Sequence, residues 1–274
     1  MDLREVAQSK QRHPWEISRM EQLTDLILSE IKDRQQVVLA DIGAGDLYFA
    51  EKLIEKMDAQ TISWNLHAVD PGYGEQQNGV WSTRTDDRLK IHSSLDELLD
   101  LSLDGLILLD VLEHVEDDHA FIDSLKLKLK PGGLIVSTVP AFQSLFSNHD
   151  VFLKHYRRYN LKELSSLFSS HQLTIKSAQY FYFSLFLVRS LLTGLEKLGQ
   201  VIQKRSHHSS PVENRYGVQM QKGIGHWQLS EASFLTRCLA GCLNLDFHIC
   251  RILDRVQMHI PGLSVLVVAH KMDQ

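Results

Sequence analysis

The chain has 274 residues, 43% hydrophobic and 23% charged, which is enough for one α/β domain of ordinary size plus an appendage. Its formal net charge of −5 provides no dense basic face and argues against a nucleic-acid partner. Residues 1–5 lack the apolar core of an export signal, so a cytoplasmic location is expected, with the inner face of a membrane as an alternative address.

Residues 15–32 form the first amphipathic pattern, with Ile17, Met20, Leu23, Leu26, Ile27 and Ile31 on one face. This predicts a helix that covers a sheet or a ligand mouth. Residues 37–49 follow as a buried strand, a glycine loop at Gly43 and Gly45, and the opening of a helix. Such a loop lets a ligand touch backbone, and the helix start offers free N–H groups. Tyr48 stands where a dinucleotide fingerprint has its third glycine, and a ring there argues against NAD. Asp41 at the loop mouth would repel a pyrophosphate but suits a ligand carrying an ammonium and a sulfonium, which points to S-adenosylmethionine. Residues 64–70 predict a second strand ending in Asp70, 25 positions after Gly45, where a carboxylate would hold both ribose hydroxyls.

Pro71 opens a polar, glycine-bearing loop through residue 79. Residues 88–92 read as a short strand, and residues 93–97 begin a helix with a capping pattern. Residues 103–110 are the apolar run a central parallel strand needs, followed by Val111, Leu112, Glu113 and His114 and a helical pattern through residue 129. Lys130-Pro-Gly-Gly is expected to break that helix before a strand at residues 134–139.

A polar cluster at residues 146–159 contains His149, Asp150, His155, Tyr156, Arg157, Arg158 and Tyr159. It is expected to form one wall of an acceptor pocket, with segment 12–15 closing over it. Asn160 caps another helix, and residues 174–183 read as a strand. Residues 181–192 are apolar but interrupted by Arg189 and too short to span a bilayer. They precede a polar loop at 205–211 and a helical region at 230–256. Cys238, Cys242 and Cys250 fall in that region and read as reduced, buried small residues. A metal site from Cys238, Cys242 and His248 lacks paired C-x-x-C spacing. Residues 261–271 form the closing strand.

D-I-G-A-G at 41–45, the acid at Asp70, D-V-L-E-H-V at 110–115 and L-K-P-G-G-L-I-V-S-T-V-P at 129–140 together resemble the class I S-adenosylmethionine-dependent methyltransferases. In texture they resemble the small-molecule and lipid methyltransferases that include the ubiquinone-pathway enzymes. The resemblance covers residues 37–183 directly. It implies a Rossmann-like seven-stranded sheet with an antiparallel last strand. Around it the chain divides into an N-terminal helical segment (1–36), the cofactor-binding core (37–183), a helical insertion (184–260) and the final strand (261–274). Leu47 departs from the pattern, since many members carry glycine there.

By this resemblance the cofactor site comprises Asp41, Gly43, Gly45, Asp70, Pro71, Ser93, Ser94, Asp110, Val111 and Leu112. In some ubiquinone-pathway relatives acids near here bind a divalent cation, and Glu113, Glu116 and Asp117 offer carboxylates. His114 follows the carboxyl end of the central strand and is the candidate base, with a structural role as its alternative. His149 and Asp150 are candidates for an acid/base pair. His155 and Tyr156 are candidates for orienting a hydroxyl, and Arg157 or Arg158 for pairing with an acidic group, with Tyr159 in the same wall. The expected activity is methyl transfer to an oxygen, or a carbon, of a small aromatic, lipid-like or carrier-tethered acceptor. A carrier protein, a membrane surface or a second copy are the further partners to consider. The competing readings are a nicotinamide-dependent oxidoreductase and a non-catalytic module of the same fold.

Overall fold

In a computed structural model describing residues 11–60, 62–75, 86–205 and 229–272, the apolar runs form seven strands. They are β1 (Gln36–Ile42), β2 (Ser63–Val69), β3 (Leu89–His92), β4 (Leu103–Leu109), β5 (Leu129–Pro140), β6 (Leu173–Phe181) and β7 (Ser264–Lys271). Their order across the sheet is β3-β2-β1-β4-β5-β7-β6. β1 to β5 pair in parallel, and β7 runs antiparallel to both β5 and β6. The expected seven-stranded architecture is therefore present. Every residue of β4 is buried, which explains the apolar stretch from Gly105 to Leu109 in the centre of a two-sided sheet, with Asp104 near its start paired to Lys130.

The helices are α1 (Pro14–Ile31), α2 (Tyr48–Asp58), α3 (Gly72–Glu75), α4 (Asp118–Lys128), α5 (Asn148–Phe152), α6 (Leu161–Ser170), α7 (Phe183–Arg205) and α8 (Phe234–Arg255). Alternation along the strands splits the core into two layers. Leu39 and Leu66 face Leu23 and Ile27 of α1, Leu53 of α2 and Phe247 of α8. Ala40, Leu106 and Leu108 face Ile122 of α4 and Leu164 and Phe168 of α6. β1 and β2 are in register from Gln36↔Ser63 to Ile42↔Val69, so the glycine loop and Asp70 emerge together at one edge.

Local expectations differ from the structure at three places. Residues 130–133 do not separate helix from strand, because β5 already begins at Leu129. The extra residues are absorbed as an irregularity between the pairs Leu103↔Leu129 and Gly105↔Leu134, with Gly132 at φ +68°. Lys130 Nζ bonds both oxygens of Asp104 at 3.0 Å and holds that bulge. The capping pattern at Ser94 and Glu97 starts only a three-residue 3-10 turn, Leu95–Glu97. Cys238 and Cys242 are exposed and only Cys250 is buried, because the first two lie on the outward face of α8. Residues 1–5, 76–79 and 206–211, singled out in the sequence, lie outside the described residues.

Candidate active site

The cofactor side is built from backbone turns at the carboxyl ends of β1 and β2. Gly43 and Gly45 adopt φ +72° and +54°, the left-handed region that only glycine enters at little cost. A Cβ at Gly43 would stand 2.8 Å from Val111 Cγ2. The Gly43 and Ala44 amides donate to Val69 O, which folds the loop back onto β2. Asp70 is held at both oxygens: Gly45 N donates to Oδ2 at 3.0 Å and Gly72 N to Oδ1 at 2.8 Å. Tyr73 Oη donates to Gly45 O at 2.8 Å. These bonds fix the carboxylate while each oxygen keeps a further lone pair for a hydroxyl donor.

Asp41 is 2% exposed, and its Oδ2 has no hydrogen-bond partner among the described residues. Burial pushes its carboxyl up to about 7, and the nearby Asp70 and Asp46 charges push in the same direction. A cation placed beside this carboxyl would favour its charged form. Pro71 is exposed at the start of α3. Ser93 and Ser94 are occupied locally, since Glu97 Oε1 accepts from both their amides at 2.9 and 3.0 Å and from Ser93 Oγ.

The opposite wall begins after β4. Asp110, at φ +57°, is bound by Arg19 of α1, and Thr138 Oγ1 accepts from Arg19 Nη2 at 2.6 Å. Burial opposes the Asp110 charge, but the Arg19 guanidinium holds its carboxyl below the ordinary value. Leu112 is buried, and Val111 packs against the glycine loop. Glu113 is fully buried and neither of its side-chain oxygens has a hydrogen-bond partner among the described residues. Its own burial, followed by the Asp110 charge, raises its carboxyl well above the usual range.

His114 projects toward the polar cluster, with its ring 4.6 Å from that of His155 at 80°. Together with Val151, Lys154 and Tyr156 the two histidines line a cavity of about 430 Å³. Asp150 lies beneath this floor, fully buried. It accepts from Arg158 Nε at 2.7 Å and Ser147 N at 2.9 Å, and Nδ1 of His155 lies 2.9 Å away. Burial opposes the charge on Asp150, but His155 and Arg158 hold its carboxyl well below the ordinary range. His155, rather than His149, is thus the histidine bonded to Asp150. Burial lowers His149 to about 4, with the Arg189 charge adding to the shift, so its imidazole is neutral at pH 7. Arg157 pairs with Asp118 at 3.1 Å, and Tyr159 Oη donates to Asp118 Oδ2 at 2.7 Å. Of the five acceptor-side candidates, His155 and Tyr156 reach the cavity. Arg157, Arg158 and Tyr159 anchor the loop that carries them.

Glu113, His114 and His155 each offer a ligand atom, all within 4.8 Å of one another, which makes them the group able to hold a metal among the described residues. Cys238, Cys242 and His248 form no such group there. Sequence reasoning missed Arg19, although a charged residue four positions before Leu23 on the core stripe of α1 was a visible signal. It also placed segment 12–15 over the acceptor. Arg12 instead bonds Asp46 in the glycine loop and lies 4.2 Å from the centroid of the Tyr48 ring.

The left-handed glycine turn, the tethered Asp70 and the buried Asp41 lie together at the carboxyl ends of β1 and β2, and the sheet order places β4, which leads into the histidine-lined cavity, beside β1. The family model of the methyltransferase domain matches residues 12–177, so the chain belongs to that family, in its class I, S-adenosylmethionine-dependent form. No curated protein sequence matches. Among solved structures, the chain is similar to one from Galdieria sulphuraria described as a sarcosine dimethylglycine methyltransferase. The TM-score is 0.54 at 16% identity, with 97% of this chain and 92% of that one covered. It is also similar to phosphoethanolamine N-methyltransferase 2 of Haemonchus contortus in complex with S-adenosyl-L-methionine. Here the TM-score is 0.50 at 14% identity, with 92% of this chain and 52% of that one covered. At these identities the likeness bears on the fold alone.

Proposed function

We propose that this protein transfers a methyl group from S-adenosylmethionine to an oxygen, or a carbon, of a small aromatic, lipid-like or carrier-tethered acceptor. The observation that carries this reading is the adjacency of two chemically different walls at one sheet edge. The fixed Asp70 and buried Asp41 lie on one side, and the cavity of His114 and His155 on the other. When bound, S-adenosylmethionine supplies an electrophilic methyl group on a sulfonium. Asp70 would hold the ribose hydroxyls, Asp41 would balance the ligand's positive charge, and the glycine-loop amides would offer donors to its polar tail. His114 would take the acceptor's proton, and the two walls would supply the near-attack positioning that an in-line displacement needs. His149 is the weaker candidate base, since it is not among the cavity-lining residues and burial lowers its pKa to about 4. Asp150 orients His155, and Tyr156 bounds the acceptor on its open side.

A second reading adds a divalent cation to the same wall. It is favoured by the buried, unbonded carboxyl of Glu113, for which a metal shared with His114 and His155 would supply the missing partner and favour its charged form. The nicotinamide-dependent alternative has no support from the family. The non-catalytic alternative separates from catalysis by assay. Methyl-labelled S-adenosylmethionine is incubated with the protein and pools of phenols, enols and lipid extracts, and products are read by mass. Label entering one acceptor class supports the proposal. Cofactor binding without label in any pool favours the binding-module reading.

A further inference from the structure

Helices α7 and α8 carry their apolar side chains outward. On α7, Leu187, Val188, Leu191, Leu192, Leu195 and Leu198 face solvent, with Leu191 65% exposed. Two polar residues of the same helix, Arg189 and Thr193, face inward. Thr193 is 3% exposed, and Arg189 reaches Ser147 Oγ and lies 3.8 Å from Asp150 Oδ2. This inverts the usual polarity of a surface helix. On α8 the exposed positions Leu235, Cys238, Cys242, Leu245, Ile249 and Ile252 recur at spacings of three and four, one continuous stripe. Single exposed apolar residues are ordinary, but two helices with unbroken outward stripes are not.

Charge identifies what covers them. Residues 184–260 hold nine Lys and Arg against five Asp and Glu, a net +4, which leaves −9 on the rest of a chain whose total is −5. Arg237 and Arg255 are exposed on α8 itself. A second copy would bring two positive segments together, whereas an anionic surface attracts this segment and repels the body. No described helix is long and apolar enough to cross a membrane, so the geometry is that of lying on one.

We propose that the outward faces of α7 and α8 dock on the surface of an anionic lipid bilayer. Through Arg189 the inner face of α7 holds the acceptor-side loop at Ser147, so docking sets that side of the protein toward the membrane. The proposal does not depend on the methyl-transfer reading, because lipid binding is measured without cofactor or acceptor.

The test is flotation of the full-length protein with vesicles of phosphatidylcholine alone and of phosphatidylcholine mixed with phosphatidylglycerol. The protein should partition onto the mixed vesicles, less so as salt rises. Replacing Leu191, Leu195, Ile249 and Ile252 together by serine should weaken partition roughly tenfold or more with an unchanged circular-dichroism melt, since all four are exposed. Arg237→Glu with Arg255→Glu should weaken binding to the mixed vesicles only. Absence of wild-type partition onto either vesicle overturns the proposal, as does serine-variant binding equal to wild type. So does a dimer in sedimentation that the serine variant dissociates while vesicles bind nothing, which would assign the surface to a second copy.

Discussion

Asp41→Asn isolates the charge requirement of the cofactor cradle. The Asp41 carboxyl titrates at about 7 in the folded protein against 3.8 for the ordinary group, chiefly through burial. The unfolded chain therefore releases this proton first. Between about pH 4 and pH 7 the folded state binds more protons than the unfolded one, and stability falls as pH rises through that window. Three units at about 1.4 kcal/mol each set the loss at about 4 kcal/mol, all of it present above pH 7. Asparagine cannot ionise. The variant should therefore match wild type near pH 4 and exceed it by up to about 4 kcal/mol at pH 8, as measured by urea unfolding without cofactor. The same ionisation is coupled to binding, because a sulfonium and an ammonium favour the carboxylate. Calorimetry at pH 6 in buffers of different ionisation enthalpy should show close to one proton released per S-adenosylmethionine bound by wild type, and none by the variant. A variant destabilised equally at both pH values, or binding without proton release, would refute the assignment of Asp41 as a buried counter-charge.

Gly43→Ala should lower stability by about 1–3 kcal/mol and abolish cofactor binding, because the site needs a positive φ and the new methyl meets Val111. Adding Val111→Ala should restore only the steric part, read as a partial recovery of the melting temperature. Asp150→Ala leaves Arg158 buried without its partner and should cost about 3–5 kcal/mol in urea unfolding. A loss well below 1 kcal/mol would show that the carboxylate does not anchor the loop. His114→Ala and His149→Ala are compared for turnover while cofactor affinity is monitored. Loss of turnover with intact affinity in His114→Ala supports the base, and unchanged turnover in both removes the histidine-base mechanism. Manganese or zinc titrated calorimetrically should bind wild type but not Glu113→Gln, and equal binding by both would place the cation elsewhere.

The sheet could be read from the chain because its signals are local. The largely apolar run Leu103–Leu109, the alternating edges of β1 and β2 and the glycines at 43 and 45 each follow from strand burial or backbone conformation. Cofactor-side candidates were visible for the same reason, as loop residues immediately after named strands. The acceptor side was only half readable. Proximity in residues 146–159 could be seen, but which side chains enter the cavity depends on long-range partners: Asp118 draws Arg157 and Tyr159 away, and Asp150 draws Arg158. Arg19 meets Asp110 across 91 positions, a pairing no local pattern contains. The outward polarity of α7 was likewise hidden, since a helical period shows that one face is apolar but not which way it turns.

Calorimetric titration of the purified protein with S-adenosylmethionine and S-adenosylhomocysteine, with NAD as control, tests the central claim most directly. Saturable binding of the first two, absent for NAD and abolished by Asp70→Ala in a protein that still melts cooperatively, is the predicted result. Failure of a folded, cofactor-free sample to bind either ligand, or binding of NAD alone, would contradict the account.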